Sequence, residues 1–117
     1  MMINWDHIQE LHHQLGPFDF ATVVEQLIDE MHSVTGRLHT PDPLTLENDV
    51  HRLKACATTL GFDDLSAKCR EVQRQLDLHQ DLLARDATPP QAMSALLSCC
   101  DRSVAIFDGE VSGRLAA

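Results

Sequence analysis

Among the 117 residues of this chain, His51 and Lys54 are the pair whose types and spacing could do chemistry together. Advancing by about 100° per residue, helical spacing gathers Leu46, Val50, Leu53, Ala57 and Leu60 on one side and points His51 nearly opposite their mean direction. Glu47, Lys54, Ala55 and Thr58 fall within about 60° of His51 on that outer wall. A neutral imidazole is a good nitrogen nucleophile near neutral pH. Phosphoryl transfer through a loose transition state asks mainly for in-line access and positive charge near the equatorial oxygens. Lys54 supplies a flexible point cation three residues after His51, and Ala55 and Thr58 leave room for an acidic active site to approach.

Other chemistries find less support. The remaining histidines, His7, His12, His13, His32, His39 and His79, raise the question of zinc, which needs Cys or His pairs at short spacings that converge. Cys56 and Cys69 are too far apart to form such a pair, and the adjacent Cys99 and Cys100 are expected to point in different directions. No repeated Glu-x-x-His pattern suggests a di-iron bundle. His79 reads as a hydrogen-bonded edge residue on the seam of its helix. No metal ligand set is therefore expected. A nucleophile elbow, a phosphate-cradling Gly loop and a dinucleotide fingerprint are all missing from the sequence. With no ATP site, His51 is expected to receive a phosphoryl group from another protein, which makes the chain a carrier and not a stand-alone enzyme. A lone surface His is commonly just solvated, so the weight rests on its neighbours.

The elements that must position His51 are legible from their punctuation. Asn4 caps a short first helix with Trp5, Ile8, Leu11 and Leu15 on its apolar side, and Gly16-Pro17 ends it and opens a second. From Phe20 a stripe of Val23, Val24, Leu27, Met31, Val34 and Leu38 runs to the break at Thr40-Pro41-Asp42-Pro43. Asp42 is expected to cap helix three with Pro43 in its first turn, and Gly61 to end it. Phe62, Leu65, Cys69, Val72, Leu76 and Leu83 mark helix four. Thr88-Pro89-Pro90-Gln91 reads as a capping box opening helix five, with Met93, Leu96, Cys100, Val104, Phe107 and Val111 as its stripe. Four long helices with one stripe each must bury those stripes against one another. The expected fold is all-α: one domain over residues 1–117, an antiparallel up-and-down four-helix bundle with the short N-terminal helix across one end.

The bulk numbers agree with such a domain. The chain is 44% hydrophobic and only 4% aromatic, so its apolar mass is aliphatic and suits helices. A formal net charge of −9 argues against nucleic acid and against docking on an anionic membrane. No apolar run approaches the roughly 20 residues of a membrane span, and the first residues do not read as a secretion signal. The four cysteines read as free, buried thiols of a cytoplasmic protein, three of them at core-like positions.

The run His51-Arg52-Leu53-Lys54-Ala55-Cys56-Ala57-Thr58-Thr59-Leu60-Gly61-Phe62, continuing to Leu65 and Cys69, resembles the signature of histidine-containing phosphotransfer (HPt) domains of two-component phosphorelays. That signature reads His-x-x-Lys-Gly-small-small, with an apolar residue and Gly at the helix end. The layout, with the His in the second of four bundle helices, is similar over nearly the whole chain. The resemblance implies that His51 is phosphorylated and that Lys54 stabilises the phosphate. It also implies that Gln73, at the edge of the helix-four stripe, hydrogen-bonds near the histidine. The implied partners are response-regulator receiver domains and a hybrid histidine kinase, with Mg²⁺ bound on the receiver and no cofactor on this chain. Docking is expected on the wall of Glu47, Lys54, Ala55, Thr58 and Gln73, rimmed by Trp5 or Ile8 where the core does not need them. Ala55 stands where the family usually has Gly, adding a methyl beside the site. Asp49 falls toward the apolar side of the helix and is expected to reach past the bundle end to solvent. The competing expectation is a helical adaptor or inhibitor that binds a signalling protein without chemistry.

Overall fold

The structure, a computed structural model, describes residues 2–40, 42, 44–78 and 90–115. They form five helices and, among the described residues, no strand: α1 (Trp5–Leu15), α2 (Pro17–Leu38), α3 (Leu46–Leu60), α4 (Asp63–Leu78) and α5 (Pro90–Leu115). Neighbours in sequence pack as neighbours in space, α3 against both α2 and α4, and α4 against α5, while α2 and α5 close the ring along the thinnest seam. The fold is the expected four-helix bundle with a short N-terminal helix.

The turn chemistry accounts for where the helices stop. Asn4 caps α1 by accepting the His7 backbone N–H at 3.1 Å. Gly16, at φ +81°, is a conformation few side chains tolerate, and Pro17 then opens α2 with its φ already set. Gly61, at φ +71°, ends α3: its own N–H donates to Thr58 O at 3.2 Å and that of Phe62 to Ala57 O at 2.8 Å, the paired bonds of a Schellman cap. A Cβ at Gly61 would also meet His7 Cδ2 at 3.1 Å and Asn4 O at 3.2 Å. That close approach ties α1 down, since Asn4 N–H donates to Gly61 O at 2.7 Å and His7 Nε2 lies 2.8 Å from Thr59 O. The N-terminal helix is thereby fastened at the end of the bundle where α3 finishes.

Helix three begins later than the sequence suggested. Its first residue is Leu46, and Asp42 does not cap it: the Asp42 carboxylate accepts the Leu44 N–H at 2.9 Å, and its carbonyl accepts the N–H groups of Thr45 and Leu46. Asp42 builds a turn ahead of the helix, as a short side chain that bonds its own backbone two residues on will do. The expected roles of Pro43, His79 and Leu83, and the capping residues Thr88 and Pro89, lie outside the described residues; α4 is described to Leu78 and α5 from Pro90.

The stripes meet in a single core. Met31, Val34 and Leu38 of α2, Val50, Leu53 and Leu60 of α3, Leu65 and Val72 of α4, and Leu96 of α5 are all buried. The four thiols join them, Cys99 and Cys100 included, because α5 is buried over an arc wide enough to take two adjacent residues. Burial pushes the Cys69 and Cys100 thiols up to about 12, and the thiols nearby, with Asp101 beside Cys100, push the same way. No helix among the described residues is long and apolar enough to cross a membrane.

Candidate functional site

The outer wall of α3 is set by what its inner wall buries. Val50, Leu53, Cys56, Ala57 and Leu60 face the core, fixing the helix in rotation as well as in place. His51 follows the fully buried Val50 by one residue and is exposed, as are Glu47, Ala55 and Thr58. Among the described residues the His51 ring has no hydrogen-bond partner within the chain, so it is presented free to solvent.

Lys54 is half-buried, and its Nζ donates to Gln73 Oε1 across the α3–α4 seam at 3.1 Å. The structure thus brings Lys54 and Gln73 together, bonded to each other. The amide anchors the ammonium of a side chain that otherwise carries large rotamer freedom. Further along the same seam, Thr58 Oγ1 and Ser66 Oγ are 3.2 Å apart, and Arg70 Nη1 donates to Ser66 Oγ at 3.1 Å. Sequence reasoning missed Ser66 and Arg70. The signal was present, since they precede Gln73 by seven and three residues and so share its face.

Charge on α3 and α4 is closer to balance than on the rest of the chain, with five cations against six carboxylates. Five of the nine cationic residues, Arg52, Lys54, Lys68, Arg70 and Arg74, belong to α3 and α4. Arg52 pairs with Glu30 at 3.5 Å, and Arg74 with Glu71 at 2.6 Å. The Arg74 guanidinium and the Gln75 amide hold the Glu71 carboxyl down at about 2. Lys54 and Arg70 contact neutral oxygens instead, and among the described residues neither sits in an ion pair. An exposed ring nitrogen beside an anchored, uncompensated cation can attack an electrophilic phosphorus and leave the new oxygens near positive charge.

Three expectations require correction. Asp49 does not reach past the bundle end: it is buried, and its carboxylate accepts from Arg37 Nε at 3.1 Å and from Thr45 Oγ1 at 3.2 Å. It staples the end of α2 to the start of α3, a role invisible without knowing that Arg37 lies opposite. Ile8 cannot rim a docking wall, because it is fully buried. Trp5 is engaged as well, its ring stacked on Phe107 with centroids 6.1 Å apart and the Arg114 guanidinium 4.9 Å from its centre. Both belong to a helix fastened at Thr59 and Gly61, and Thr59 lies about 12 Å along α3 from His51 at 1.5 Å per residue.

Among the described residues no group of three or more His, Cys, Asp or Glu side chains is arranged to hold a metal ion. No family model, curated protein or solved structure matches this chain.

Proposed function

We propose that the chain is a phosphoryl carrier of the HPt type, in which His51 accepts a phosphoryl group from a receiver-domain aspartyl phosphate and passes it to another receiver Asp. The observation that carries this reading is the exposed His51, without a partner among the described residues, on a helix wall whose next turn holds Lys54 against Gln73 at 3.1 Å. In the forward step a ring nitrogen of His51 attacks phosphorus in line. The N–P bond forms, the P–O bond to the aspartate breaks, and the electron pair leaves on the carboxylate. The equatorial oxygens carry the charge of a loose transition state, and Lys54 offers them a cation. Ala55 and Thr58, small and exposed on the same wall, leave room for that approach. The receiver brings the acidic pocket and the Mg²⁺, and the reaction is placed in the cytoplasm, where such relays meet.

The test is transfer from receiver domains carrying radiolabelled aspartyl phosphate. The expected product is an acid-labile, alkali-stable phosphate on the wild-type chain and none on His51→Gln. Labelling of His51→Gln to the wild-type level would end the carrier reading and leave the adaptor.

A further inference from the structure

The bundle ring is packed least where α2 meets α5, and there the surface opens into a groove of about 330 Å³. Its floor is apolar, formed by Phe20, Val24 and Ile28 of α2 with Phe107 and Val111 of α5. Its rim is acidic: Glu25, Asp29 and Asp108 line it, and among the described residues no cation does. The cation near the end of α5, Arg114, is occupied by the Trp5 ring and by Glu110 at 3.3 Å. Phe18, 83% exposed, precedes Ala21 and Glu25 by three and seven residues and so continues the same face of α2 beyond the groove. Phe18 thus extends the rim of the trough, and apolar surface rimmed by polar residues marks an interaction site.

We infer that this groove docks an amphipathic helix of another protein, one with an apolar stripe flanked by lysine or arginine. Two helices leave between them a trough that suits the ridge of a third, read by side chains at i, i+3, i+4 and i+7. The apolar floor supplies affinity, and the three carboxylates select the partner's charge and speed its approach. A second copy of this chain fits poorly, since it carries a net charge of −9 and would bring an identical acidic rim. The groove lies on α2 and α5, whereas His51 and Lys54 lie on α3, so this binding does not depend on the carrier reading.

The probe is a fluorescein-labelled, Leu-striped peptide of about 18 residues, long enough to hold a helix when docked, made with Lys flanks and again with Glu flanks. Anisotropy titrations of the full chain at low salt should favour the Lys peptide by about tenfold or more. The triple variant Glu25→Lys, Asp29→Lys, Asp108→Lys, all at exposed positions, should reverse that preference. Ala21→Trp, an exposed position on the groove lining, should abolish binding with the helical circular dichroism unchanged. Equal binding of both peptides, or full binding by Ala21→Trp, overturns the proposal. So does a concentration-dependent dimer in sedimentation that Ala21→Trp dissolves, since the occupant is then a second copy.

Discussion

In the proposed carrier role the chemistry turns on Lys54, whose surroundings say how it would act. A lysine in water samples many rotamers, but here a neutral amide oxygen holds the ammonium at 3.1 Å without cancelling its charge. In the proposed carrier role, Lys54→Ala removes a preorganised charge from the transition state and should slow transfer to His51 by about ten- to a hundredfold. Gln73→Ala should slow it less, because the ammonium remains and only its anchoring is lost. If Gln73 acts through Lys54, the double variant should be no slower than Lys54→Ala alone. Single-turnover transfer rates decide this, and strictly additive losses would give Gln73 a separate role.

Elements are held in place here by a few well-placed turns as much as by the core. Gly61 serves three ends at once: it takes the left-handed conformation that closes α3, receives the Asn4 N–H, and lets His7 pass within 3.1 Å of where a Cβ would sit. Gly61→Ala should therefore cost more than the roughly 1–2 kcal/mol of placing an L-residue in that conformation, since the α1 anchor must also shift. Urea unfolding is the check, and a loss below about 0.5 kcal/mol, the usual limit for an innocuous surface change, would mean that α1 is not fastened there. Because His51 lies about 15 Å from Gly61 along α3, its exposure should be unaffected.

For the molecule as a whole, four buried thiols make the core sensitive to alkali. Cys69 and Cys100 are raised from 9.0 to about 12 in the folded chain, chiefly by burial. The folded state thus holds protons that the unfolded state releases first. The stability tied to these thiols is complete below pH 9 and is lost as the pH rises through about 12. The urea midpoint should fall across that window, and less steeply in a Cys69→Ala, Cys100→Ala variant. Iodoacetamide should modify the native chain slowly at neutral pH and all four cysteines once it unfolds. Fast native modification would contradict the packing.

The apolar stripes and the Gly and Pro positions determined helix number, order and the outward direction of His51, because each is a local property of period and backbone conformation. Leu46, Val50, Leu53, Ala57 and Leu60 suffice to say which way His51 points. Tertiary structure decided everything that depends on two segments meeting. Asp49 was expected in solvent until Arg37 stood 3.1 Å from it, and Trp5 and Ile8 were expected to rim a docking wall until the packing of α1 claimed them. The Lys54–Gln73 bond, the Ser66–Arg70 extension of the seam and the acid-rimmed trough between α2 and α5 arise from the register of one helix against another. Register is set by packing between helices, which no pattern within a single helix contains.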